Sequence, residues 1–249
     1  MNLLADAFAW LFAPEQWTGP NALQHLLAQQ LSFTATAVAI AALIAVPLGW
    51  AIGHTGRGRE VAVAFSGAAR AVPSFGLLVL LVLVFGVLRK PEAATVTFVI
   101  LAIPSLLAGA YAGFEAIDRR VVDAARAVGM TGAQILWRVE IPLGLPLLVA
   151  GFRSAVLQVV ATVTIAAYVN LGGLGLPIIT GLSLRRYEVV LGGAILVALL
   201  ALVLDALFAL AQRAAVPHGI RADQGHPTGR RLDPEPAAPA TPDTADTHP

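Results

Sequence analysis

Five stretches of this chain are apolar over lengths that match a lipid bilayer, and this limits what it can fold into. A spanning helix needs about 20 mainly apolar residues. The stretches run from about Leu26 to Ile52, Val61 to Leu88, Ala93 to Phe114, Leu147 to Leu171 and Val189 to Ala211. Across the chain 57% of residues are hydrophobic and only 12% are charged. Soluble domains carry about twice that share of charge, so lipid must supply part of the solvent. Backbone groups find no water inside a membrane, and helices satisfy them internally. The expected fold class is therefore an all-α membrane protein with five transmembrane helices.

Pro47, Pro73 and Pro104 fall inside these spans, as do Gly49, Gly53, Gly76 and Gly86. In water such residues argue against helix; in a bundle, neighbouring helices can satisfy the freed carbonyls. They either let helices kink and pack closely or line a path that opens and closes, and the sequence leaves both readings open. Ahead of the first span, Leu3 to Trp17 contains no Lys or Arg. It is expected to form a short interfacial helix with Trp10 and Trp17 at the membrane boundary. The expected domains are an interfacial segment at 1–25, a transmembrane domain at 26–213 and a tail at 214–249. The tail is rich in Pro, Ala, Thr and Asp, too polar to bury a core, and is expected to be disordered.

Cysteine is absent, which excludes disulfides, thiolate metal sites and Cys nucleophiles. His25, His54, His218, His226 and His248 show no metal-ligand spacing. No Ser/His/Asp or paired-carboxylate arrangement stands out, so neither catalytic residues nor a metal or other cofactor are expected. Orientation follows from the basic residues. Arg57, Arg59, Arg119, Arg120, Arg126, Arg138, Arg213, Arg221, Arg230 and Arg231 lie on one side, against Arg89, Lys90, Arg185 and Arg186 on the other. The first set is expected in the cytoplasm, with the N-terminus outside and the C-terminus inside.

The connection between the third and fourth spans, 115–146, carries the densest pattern. Val121, Val122, Ala125 and Val128 recur at spacings of three and four, one apolar helical face. Gly129 fits a helix stop, and Thr131 can cap a second short helix carrying Ile135, Leu136 and Val139. Pro142 and Pro146 are expected to end that helix and begin the next span. Two helices this short need something to hold them, either the bundle or a partner.

Asp123-Ala124-Ala125, three residues, Gly129, nine residues, then Val139-Glu140-Ile141-Pro142 resembles the EAA loop of ABC importer permeases. That pattern is E-A-A, three, G, nine, I-x-L-P; the spacing agrees throughout, with Asp123 standing where the family has Glu. The resemblance implies the type I ABC importer permease fold, with this segment as a cytoplasmic coupling-helix loop. By carry-over, Asp123, Ala124, Ala125, Gly129, Met130, Thr131, Val139, Ile141 and Pro142 dock into a cleft on a cytoplasmic ATP-binding subunit.

The likeness extends over roughly residues 25–213. The runs A-A-R-A-V-G-M-T and W-R-V-E-I-P-L-G-L-P, the segment Ala71 to Ser74, and N-L-G-G-L-G at Asn170 to Gly175 look like the osmoprotectant branch. Its members carry glycine betaine, carnitine, choline or proline betaine; methionine and oxyanion permeases share much of the pattern. The family implies a second permease subunit, identical or homologous, and an extracytoplasmic substrate-binding protein. No Walker A motif is present, so ATP would bind the partner. Tyr111, Phe114, Tyr168 and Phe75 are scattered along the sequence, and the aromatic cage for a quaternary ammonium is assigned to the binding protein.

Three charges fall inside spans. Arg70 is nine residues from Val61, about 13 Å; Arg153 is ten from Leu143, about 15 Å; Asp205 is eight from Arg213, about 12 Å. Similar depths suggest that Asp205 pairs with Arg153 or Arg70; the alternative is that the arginines snorkel and Asp205 meets water. Asn170, Gly172, Gly173 and Gly175 are placed at the external end of the pathway, as a gate or a plain loop. A self-contained secondary transporter is the competing class, but five spans and no visible inverted repeat disfavour it.

Overall fold

The structure is a computed structural model that describes residues 2–215, so the expected disordered tail lies outside the described residues. Among the described residues every regular element is helical. In chain order these are α1 (Leu3–Phe12), α2 (Leu23–Thr55), α3 (Arg59–Ala71), α4 (Ser74–Phe85) and α5 (Lys90–Glu115). After them come α6 (Arg119–Ala127), α7 (Gly132–Ile135), α8 (Ile141–Ile165), α9 (Gly175–Ser183) and α10 (Tyr187–Ala215). The spans containing α2, α5, α8 and α10 are each long and apolar enough to cross a bilayer.

The second expected span is not one helix. α3 and α4 meet at an angle of 85°. The cause is Pro73, which has no N–H to donate and pushes the preceding residue out of the helical region. Val72 is extended at ψ 125°, and Pro73 follows at ψ 116°. Pro47 and Pro104 sit inside α2 and α5 without ending them. Pro142 does not end a helix either. Gly132 to Val169 forms one uninterrupted span, with a π-helical turn at Leu136–Glu140. There the Ile141 N–H reaches back to the Leu136 carbonyl. That wider turn makes room for the ring at Pro142, which would otherwise crowd the carbonyl four residues earlier.

Lipid offers helices no hydrophobic reason to associate, so small residues that let backbones meet become decisive. α5 is the hub, with Phe98, Ala102 and Leu106 fully buried. Gly109 and Gly113 on α5 face Gly151 and Gly144 on α8. A Cβ on Gly109 would lie 2.7 Å from the Gly151 Cα, and one on Gly113 would lie 2.7 Å from the Gly144 carbonyl oxygen. On its other side α5 meets α2, where a Cβ on Gly49 or Gly53 would strike Ala110 or Phe114. α10 packs on α8 and α9 and leaves Leu199, Leu202, Val203, Leu207 and Leu210 exposed.

Two elements depart from the sequence reading. α9 lies between the fourth and fifth spans, where only a loop was expected. Its Ile178 and Pro177 pack over Gly193 of α10. α1 is helical as expected, yet Trp10 does not sit at a free interface. It is 9% exposed and rests on Gly192 of α10, forming a small core with Leu11, Leu23, Leu26, Leu174 and Val189. Trp17 remains exposed and donates its indole N–H to the Leu11 carbonyl.

Candidate functional site

The connection after α5 folds because its caps are local. The Asp118 carboxylate accepts from the Arg120 N–H at 2.9 Å and starts α6. Gly129 ends it at φ +82°. Its N–H bonds to the Arg126 carbonyl, and the Met130 N–H bonds to the Ala125 carbonyl. This double closure satisfies carbonyls that would otherwise be stranded and needs a left-handed residue at Gly129. Thr131 and Gln134 then cap each other reciprocally and open α7.

The docking candidates separate by exposure. Asp123, Ala124, Gly129 and Thr131 are exposed, while Met130, Val139, Ile141 and Pro142 are half-buried. Ala125 is buried against its own chain, so its small size serves packing within this subunit. Asp123 pairs with Arg126 at 3.2 Å, an exposed contact of little energetic weight. Among the apolar side chains of this segment, Val121, Val128 and Trp137 are 43%, 79% and 64% exposed.

Within the spans, Arg153 of α8 grips Asp205 of α10 with two parallel bonds. Nε donates to Oδ1 at 2.5 Å and NH2 to Oδ2 at 2.6 Å. Arg70 takes no part. It is exposed in the last turn of α3 and has no ion pair among the described residues. Its expected depth assumed a straight second span, and the bend after Ala71 removes that premise.

The glycine segment after α8 is strapped to α2. Asn170 is left-handed at φ 55°, and Gly172 and Gly173 have φ of +93° and +75°. The Gln29 side-chain oxygen accepts from the Gly173 N–H, and that of Gln30 from the Leu174 N–H. Gln30 is fully buried and also donates to the Val160 carbonyl at 2.8 Å. Gly175 is pressed against α8, where a Cβ would fall 1.9 Å from the Thr164 oxygen. Gln30→Leu removes the inner half of this strap and leaves the Leu174 N–H without its acceptor. It is expected to cost about 1–3 kcal/mol, read as a lower midpoint in thermal unfolding of the detergent-purified protein.

Side chains far apart in sequence meet at the loop end of the bundle. His54 of α2 is hydrogen-bonded to Glu140. Trp50 stacks on Phe114 and meets Trp137 edge-on. Glu140 occupies the unassigned x of the I-x-L-P pattern, and its apolar flanks were the available signal. Phe75 and Tyr168, scattered in sequence, meet edge to face with centroids 5.6 Å apart.

Residues 45–217 match the family described as the binding-protein-dependent transport system inner membrane component. The chain belongs to that family. The permease is 29% identical to the glycine betaine/carnitine/choline transport system permease protein OpuCB of Bacillus subtilis (strain 168), over 82% of this chain and 93% of that one. It is 34% identical to the osmoprotectant import permease protein OsmW of Salmonella typhimurium (strain LT2), over 80% and 94% of the two chains. The permease superimposes on a chain of the inward-facing MetNI methionine ABC transporter with a TM-score of 0.68 at 21% identity, covering 82% of this chain and 99% of that one. An amino acid ABC transporter crystallised with histidines follows at 0.64 and 20% identity, over 77% and 93%. The fold is that of the type I ABC importer permeases, and the permease is a multi-pass membrane protein.

Proposed function

We propose that this permease forms the membrane path of an ATP-driven importer for quaternary-ammonium osmoprotectants such as glycine betaine, carnitine, choline or proline betaine. The observation that carries the substrate class is the run of curated relatives whose names specify glycine betaine, carnitine, choline or osmoprotectants, matched over nearly their whole length. Methionine, the solute named for the MetNI structure, enters only through likeness of fold at 21% identity.

The surface around α6 and α7 is the docking site for a separate ATP-binding subunit, which would hold the nucleotide. That assignment puts the α6–α7 end, and the C-terminus, in the cytoplasm and the N-terminus outside. An extracytoplasmic binding protein would deliver solute to the end carrying Asn170 and Gly172. A second permease subunit would complete the path.

Docking is tested by co-purification of the ATP-binding subunit with the tagged permease. Gly129→Val places a β-branched residue at φ +82°, a conformation it resists. It is expected to weaken association about tenfold. Gly129→Asn, which tolerates that conformation, retains the partner. Undiminished association with the valine variant would sink the docking claim. Uptake of radiolabelled glycine betaine, competed by unlabelled carnitine or choline but not by methionine, tests the substrate class separately.

A further inference from the structure

The loop is joined covalently to α5 at one end and α8 at the other, so a push at α6 and α7 reaches both through the chain. α2 is not adjacent to it in the chain. Yet α2 turns two side chains toward it from one face, Trp50 and His54, four residues apart. The loop side answers with Trp137 and Glu140, both in the π-helical turn. Trp50 and Trp137 meet edge-on with centroids 6.2 Å apart. His54 Nδ1 bonds to Glu140 Oε2, and the carboxylate side chain is only 8% exposed. The other imidazole nitrogen faces the start of α7, 3.9 Å from where a Cβ on Gly132 would stand. Phe114 of α5 closes the group, stacked on Trp50 at 6.5 Å and pressed against Gly53 and Gly144.

We propose that the His54–Glu140 hydrogen bond is a clasp that makes the docking loop and the loop end of α2 move as one body, a further route for force besides α5 and α8. His54 and Glu140 are positioning residues in this role, since neither touches solute or nucleotide. Three features carry the assignment. A buried carboxylate is costly unless held, so the bond resists opening. The π-helical turn that presents Glu140 is a local departure from α-helix of the kind found at functional sites. The aromatic contact a turn away makes the joint two-pointed, which resists swivelling as well as separation. This inference rests on the reading that an ATP-binding subunit docks here.

The chain has no cysteine, so Thr55→Cys on α2 and Ala133→Cys on α7 can carry one pair of spin labels per permease chain, with the labelled chain diluted by unlabelled chain so that only the pair within one chain is read. The permease is purified with its ATP-binding subunit and compared without nucleotide and trapped with ADP and vanadate. The expected result is one narrow distance distribution, the same in both states. His54→Ala leaves the Glu140 carboxylate unpaired; the distribution is expected to broaden without nucleotide and shift on trapping. Glu140→Gln, which can still bond to the imidazole, and the exchange of the two residues (His54→Glu with Glu140→His) are expected to restore the narrow distribution. A wild-type distance that changes on trapping overturns the clasp, as does a His54→Ala variant that keeps the wild-type distribution in both states. A merely structural role would make His54→Ala lose the ATP-binding subunit and folded protein together, with no rescue by the exchange. If the wild type recruits no ATP-binding subunit, the docking reading falls and the clasp falls with it. If it does, the label distances judge the clasp alone.

Discussion

Gly109→Leu is expected to leave almost no folded permease in the membrane. The small residues on α5 and α8 do not merely fit; they set the distance between the helices. A Cβ at Gly109 would meet the Gly151 Cα at 2.7 Å and the Leu147 carbonyl oxygen at 2.9 Å. Both are backbone atoms, so no side chain can rotate away. Overpacking in a rigid core costs about 1–3 kcal/mol and occasionally more, and here the helices themselves must separate. Separation would also pull Gly113 off Gly144 and loosen the α5–α8 contact that carries the loop. Gly113→Leu is expected to behave alike. Gly67→Leu is the control, because a Cβ there meets nothing within 4 Å. Size-exclusion profiles and melting midpoints of the extracted protein provide the measurement. A Gly109→Leu protein as monodisperse and heat-resistant as Gly67→Leu would refute this account of the seam.

The sequence carries the signal for close packing at Gly49 and Gly53, and the same signal at Gly109 and Gly113. Gly109 and Gly113 stand four apart on α5, and Gly49 and Gly53 stand four apart on α2, the spacing that brings helices into close contact in membranes. The spans themselves were plain because hydropathy is a property of each residue. The broken second span was not, since Pro47, Pro104 and Pro73 look alike in sequence. Only at Pro73 are the proline and the residue before it both extended, whereas Pro47 and Pro104 stay within α2 and α5. α9 was hidden by length: nine residues cannot span a membrane, and a hydropathy reading assigns such a segment to a loop. In the loop, Gly129 and the Thr131 cap were readable because capping is local chemistry. The His54–Glu140 contact joins residues 86 apart, and nothing local marks it. Ala125 shows the limit of reading by motif, since its place in the pattern suggested a docking contact and the fold turns it inward.

The second large effect concerns the charges between α8 and α10, where removing one partner is expected to do more harm than removing both. Each side chain of the Arg153–Asp205 pair is about one-third exposed, yet the neighbouring exposed residues of α10 are Leu202, Val203 and Leu207. The surroundings are therefore lipid or another apolar surface rather than water. A lone charge there is costly, and a two-bond grip leaves neither group seeking another partner. The two single variants should differ. Arg153→Ala leaves a carboxylate that can take up a proton and become neutral. Asp205→Ala leaves a guanidinium that cannot lose its charge, about 12 Å from Arg213 along α10. The expected order of ATP-driven uptake in proteoliposomes is wild type, then the double variant, then Arg153→Ala, with Asp205→Ala lowest. The exchanged pair, Arg153→Asp with Asp205→Arg, should recover more activity than either single variant. Independent snorkelling of Arg153 and hydration of Asp205 would give the opposite pattern: additive losses, with the double variant the worst of the three.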